Sequence, residues 1–260
     1  MLDRSPPSSA PRAPVRVIGG RPARREIVTV GEPVPWRILL ISAASAQLFA
    51  LPLLSYMGWF LTSLVHEMGH AAMAWACGMP AFPAIRLDGH AAAVHADQVP
   101  WLVFVIAAAI AWAAWSQREL LVRAIPLGLL AIALPLLAFS EGPRDLAFLL
   151  MGHGGELLFA GLALHRACEI GSRETVERAL YGTLAWYLLW KNVTLFFGLA
   201  TSAEALLEYY GSGSFGLTND LIRAAEDVLD TPVQSVAWGM FVATLLVIPA
   251  TFLLRRVLRA

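Results

Sequence analysis

Charge is what this chain of 260 residues has least of. Only 15% of it is Asp, Glu, Lys or Arg, against 58% hydrophobic residues, and the charges cancel to zero. A neutral chain carries no basic footprint for a phosphate backbone, so nucleic acid is not an expected partner. Lysine occurs once, at Lys191, beside eighteen arginines, a bias that fits a GC-rich bacterial genome. Cysteine occurs twice, at Cys77 and Cys168, with no C-x-x-C pair. That excludes both a disulfide framework and a thiolate metal site. Residues 1–35 lack the apolar core of a cleavable signal peptide. They hold six Arg and seven Pro. Such a composition cannot bury enough surface to offset its ordering entropy, so a disordered basic tail is expected.

Long apolar runs are what the chain does have, with a mean hydropathy of +0.63. A helix needs ~20 residues to cross a hydrocarbon core of ~30 Å. Residues 38–65, 99–115, 124–140 and 231–254 carry no charge. Residues 146–164 are interrupted by His153 and Glu156, and residues 179–203 by Lys191. These runs predict an all-α fold, a polytopic transmembrane helix bundle of six or seven spans over residues 36–260, in a bacterial inner membrane. Helices are expected at 36–55, 57–77, 99–117, 120–139, 145–167, 176–202 and 233–256. The polar stretch 79–98 is expected to dip back as a re-entrant loop, and 218–229 to form an amphipathic helix. The basic tail and Arg255-Arg256 both favour the cytoplasm, which an odd number of spans cannot satisfy.

Inside the first apolar block lies His66-Glu67-Met68-Gly69-His70. A carboxylate between two imidazoles is costly at membrane depth unless something pairs or binds it. Residues four apart share a helix face, so His66 and His70 can reach one ion, with Glu67 beside them. This is the H-E-x-x-H arrangement: two imidazole ligands for Zn2+ and a glutamate placed as general base. Hydrogen-bonded core histidines, or histidines ligating haem, are the alternatives.

A third protein ligand is expected. Glu156 is the first choice, because a carboxylate completes a His2Glu set. His153, three residues earlier on the same face, is an alternative ligand or a partner that orients one. Asp220, after a Gly/Ser turn, and Asp88, in Leu87-Asp88-Gly89, are further alternatives. Lys191 and Asn192, mid-helix, are candidate contacts to a substrate strand or its oxyanion. A non-proteolytic zinc or proton pathway through these ionisable groups is a rival reading.

The run from Leu64 to Pro80, with H-E-x-G-H followed by small residues and then Gly78, resembles the signature helix of the site-2-protease-like intramembrane metalloproteases. The resemblance covers some twenty to twenty-five residues. It implies zinc at His66 and His70, Glu67 as general base, and peptide cleavage in membrane-embedded substrates. That family's third ligand is the Asp of a late Leu-Asp-Gly, preceded by Asn-x-x-Pro. Here Leu87-Asp88-Gly89 comes early and has no such segment upstream, while the late region offers Asn219-Asp220.

Overall fold

Pro52 decides the first feature of the architecture. The residue before a proline avoids the helical region, and Leu51 is extended, with φ −70° and ψ 139°. The computed structural model, which describes residues 35–85, 91–169, 175–212 and 219–259, accordingly breaks the first apolar block there. Helix α1 (Trp36–Ala46) passes through a 3₁₀ turn (Gln47–Ala50) into α2 (Pro52–Ala76), with a bend of 105°. The separate span expected at 36–55 is therefore too short to stand alone, and α2 continues it.

Helix α2 stops where its sequence says it should. Gly78 takes a positive φ of 77°, its amide reaches the Trp75 carbonyl, and the Met79 amide reaches that of Ala74. This double bond pattern needs a residue tolerant of the left-handed region. Beyond it the stretch expected to dip back as a loop forms a β-hairpin. Strands β1 (Ala81–Ile85) and β2 (Ala91–His95) pair antiparallel, from Ala81 opposite His95 to Ile85 opposite Ala91, and both lie against α2. Asp88 falls in the connection between them, outside the described residues.

Helices α3 (Pro100–Ser116) and α4 (Leu121–Ala138) pack chiefly on each other. At the centre runs α5 (Glu141–Cys168), packed against α2, α6 (Thr175–Thr201) and α9 (Val233–Arg259). Between α6 and α9 lie α7 (Ala203–Gly211) and α8 (Asp220–Arg223), which runs into a π-helical turn (Ala224–Val228). The fold is thus all-α apart from the hairpin, the only sheet among the described residues.

Two contacts fix the site's frame. Where α2 crosses α5, a Cβ on Gly155 would stand 2.6 Å from the Gly69 Cα. Only hydrogen at both positions lets the backbones come this close. At the other end of the bundle the Trp36 and Phe252 rings stand 5.7 Å apart, so the start of α1 meets the end of α9. Three described helices are long and apolar enough to cross a membrane: α4, α5 and residues Val233–Val257 of α9. The bent α1–α2 pair makes a fourth if counted as one span.

Candidate metal centre

The 3.6-residue turn of α2 puts His66 and His70 on the face that crosses α5. Gly152 of α5 sits opposite, and a Cβ there would collide with both rings. The absence of that side chain makes room for two imidazoles. Each ring is then held by its Nδ1. That of His70 donates to the Phe148 carbonyl at 2.8 Å, and that of His66 donates to Glu156 Oε1 at 2.9 Å. A carbonyl and a carboxylate only accept, so both protons belong on Nδ1, and both Nε2 atoms present lone pairs.

Those lone pairs converge. The two Nε2 atoms are 3.2 Å apart, and Asp220 Oδ2 lies 3.2 Å from that of His66 and 2.9 Å from that of His70. Three acceptors at such distances repel unless a cation or an added proton sits among them. Zinc bonds of ~2.0–2.1 Å at tetrahedral angles hold ligand atoms about 3.3 Å apart, so the trio fits the ion.

Asp220 reaches this point because α8 is anchored on both sides. Leu221, Ile222 and Ala225 are buried in one cluster with Phe196, Leu199 and Val233. The Asn219 side chain does not cap α8 but donates to the Tyr209 carbonyl (2.7 Å) and Ser212 Oγ (3.1 Å), tying α8 to the end of α7.

Two groups of three among the described residues could hold a metal: His66, His70 and Asp220, or His66, His153 and Glu156. The expected set of His66, His70 and Glu156 is neither of these. Glu156 meets His66 on the Nδ1 side, away from the Nε2 atoms, and its other oxygen accepts from Asn192 Nδ2 at 2.6 Å. That is how a carboxylate orients a metal-binding imidazole from behind. His153 stands beside this pair, its Nδ1 3.6 Å from Glu156 Oε2 and its ring packed on those of His66 and Phe196.

A cavity of about 430 Å³ opens onto the cluster, and Glu67, Lys191, Asn192, Asp220 and Tyr209 all line it. Glu67 is buried and lies against the backbone of Ala93 on β2. Lys191 Nζ donates to Thr62 Oγ1 at 2.6 Å. Thr62 in turn bonds the Gly58 and Trp59 carbonyls at 2.9 Å. Tyr209 is half-buried; burial, then the charge of Asp220, pushes its hydroxyl well above the ordinary phenol range, so it remains a donor.

The structure therefore gathers His66, Glu67, His70, His153, Glu156, Lys191, Asn192 and Asp220 in one region. Tyr209 and Thr62 escaped sequence reasoning. Thr62 had a signal, since it stands one turn before His66, whereas a tyrosine in a polar stretch had none. Compared with protein-family models, curated proteins and solved structures, the chain matches none.

Proposed function

We propose that this chain is a site-2-protease-like zinc endopeptidase that cleaves peptide bonds of membrane-embedded substrates. The observation that carries the reading is the meeting of three lone-pair atoms, His66 Nε2, His70 Nε2 and Asp220 Oδ2, in a cavity that Glu67 also lines. These three residues would hold the zinc, and Glu156, gripped by Asn192, would keep the His66 ring in its tautomer. Zinc so held supplies a Lewis acid that polarises a peptide carbonyl and acidifies water. Glu67 accepts the proton of the attacking water and returns it to the leaving amine. Lys191 and Tyr209 are the donors in the cavity for the oxyanion that develops on the carbonyl. The free edge of the β1–β2 hairpin beside Glu67 suits an extended peptide strand, because an unpaired edge offers amides and carbonyls to a new strand. A substrate helix must therefore unwind before it is cut.

The same reading gives six passages: the bent α1–α2 pair, α3, α4, α5, α6 and α9. An even number puts the start of α1, with Arg37, and Arg255-Arg256 on one side, as the contact of Trp36 with Phe252 supports, and that side is cytoplasmic by the charge rule. A bacterial inner membrane is the setting we propose.

One observation favours a second reading. Asn192, Glu156, His66 and Asp220 form an unbroken chain of polar contacts, which one added proton on His66 would complete as hydrogen bonds, and this suits an ion or proton pathway without hydrolysis. Haem between His66 and His70 does not fit, since nitrogens 3.2 Å apart cannot lie on opposite faces of a macrocycle. The test is cleavage of a single-span peptide co-reconstituted in proteoliposomes. Wild type cuts it, and Glu67→Gln keeps its zinc and does not. Zinc-dependent ion flux without cleavage would instead establish the pathway.

A further inference from the structure

Glu156 has acceptor capacity that its two hydrogen bonds leave unused. An ionised carboxylate offers about four lone-pair sites. His66 Nδ1 takes one on Oε1, and Asn192 Nδ2 takes one on Oε2. One remains on each oxygen, in a residue that is only 4% exposed. The one lysine on this side of the bundle does not fill the gap, since Lys191 Nζ donates to Thr62 Oγ1. Among the described residues, the ion-pair partners of Glu156 are the imidazoles of His66 and His153.

Beside Oε2 stands an unused nitrogen. His153 is 8% exposed, and its Nδ1 is buried with no hydrogen-bond partner among the described residues. That atom lies 3.6 Å from Glu156 Oε2, too far for a hydrogen bond. A water ~2.8 Å from both atoms would have to bond them at an angle of about 80°, well short of tetrahedral. Two metal bonds of ~2.1 Å span the same gap at about 118°, much nearer to it. Asn192 Oδ1, on the amide that holds Oε2, is likewise buried and unpartnered. Ligand atoms of His66, His153 and Glu156 all lie within 4.8 Å of one another. His66 backs this point rather than joining it, because its Nδ1 proton is spent on Oε1. His153 and Glu156 both line the cavity of about 430 Å³, whose water can fill the remaining coordination positions.

We infer that His153 Nδ1 and Glu156 Oε2 form a second zinc seat, which loads after the first centre and inhibits it. The imidazole selects zinc over calcium or magnesium. The seat is the weaker of the two, because it has two protein ligands against three and because the charge of the first ion opposes the second. The first ion belongs to the Nε2 side of His66 and the second to the Nδ1 side. They therefore do not share a water as paired catalytic metals ~3.5–4 Å apart do. The second ion acts from behind, by drawing charge out of the carboxylate that steadies the His66 ring. The seat itself stands without the protease reading, and only its effect on cleavage rests on it.

The test counts zinc per chain by mass spectrometry, on full-length protein in detergent dialysed to saturation against buffered free zinc. Wild type should pass from one ion to two. His153→Phe, which keeps a ring against His66 and Phe196, should stop at one. The double variant His70→Ala, Asp220→Ala should also hold one, having lost the first ion instead. Unchanged circular dichroism guards against misfolding, and His153→Leu replaces the phenylalanine variant if that does not fold. In proteoliposomes, wild-type cleavage should fall about 10- to 100-fold as the second ion loads, the usual cost of disturbing a ligand's supporting partner. His153→Phe should not show that fall, and an equal fall in both overturns the inhibitory role. One ion in wild type and one in His153→Phe overturns the seat, as does a second ion that persists in folded His153→Phe. One ion in wild type, lost in His153→Phe and kept in the double variant, upholds the seat and removes zinc from the first centre, and the protease reading with it.

Discussion

Replacing Asp220 with alanine removes one of the three atoms that converge on the proposed ion, while leaving His66 and His70 anchored through their Nδ1 atoms. A change behind a ligand typically costs 10- to 100-fold in metal affinity. Loss of a ligand itself should exceed that upper bound, more than about 2.7 kcal/mol. Glu156→Gln supplies the contrast. If the glutamine oxygen keeps the His66 bond, its amide nitrogen faces Asn192 Nδ2, donor against donor. One of the two hydrogen bonds, 2.9 Å or 2.6 Å long, is then lost. An unmet buried group costs about 1–3 kcal/mol, which is roughly the same 10- to 100-fold. The assay is zinc titration of detergent-solubilised protein against a chromophoric chelator. The expected order of affinity is wild type, then Glu156→Gln, then Asp220→Ala. Should Asp220→Ala bind within ten-fold of wild type while Glu156→Gln loses zinc, the assignment of the third ligand is refuted.

Glu67→Gln should lower peptide cleavage about 10²- to 10⁴-fold, the usual weight of a general base, with zinc content by mass spectrometry unchanged. Lys191→Met should lower kcat with little change in KM, as loss of a donor used only in the transition state does; an effect confined to KM would place it on the ground-state substrate. Gly155→Ala drives a methyl against the Gly69 backbone and should cost about 1–3 kcal/mol, read as a lower midpoint of thermal unfolding. The Tyr209 hydroxyl, its pKa raised by burial and then by Asp220, resists ionisation in the folded protein. Its contribution to stability is therefore whole below pH ~10, where a free tyrosine begins to ionise, and is lost above it. Tyr209→Phe should show a smaller fall in unfolding midpoint above pH ~10 than wild type.

Most helices were legible because apolar runs bounded by Gly, Pro and charge leave few choices. The expected 120–139 and 176–202 differ by a residue or so from α4 and α6. The hairpin was not legible, because Ala91 to Val94 is nearly all alanine and shows no alternation of polar and apolar residues. The bend before α2 was signalled by Pro52, but its 105° is set by packing of α1 on α6, which sequence spacing does not report. Histidines four apart announced themselves. The convergence of Asp220 on them did not, because it stands 150 positions from His70. Choosing between Asp220 and Glu156 depends on which ring nitrogen of His66 each one faces, a fact of three-dimensional orientation.

The meeting of Trp36 with Phe252 bears on how this polypeptide can be rebuilt. A short linker could join the start of α1 to the end of α9 and new termini be cut between α3 and α4, at residues 117–120, without parting any of the helices that carry the proposed metal ligands. Such a rearranged gene product would keep its histidines and Asp220 while moving both termini to the α3–α4 connection. It would give a handle for tethering that leaves the original extremities sealed.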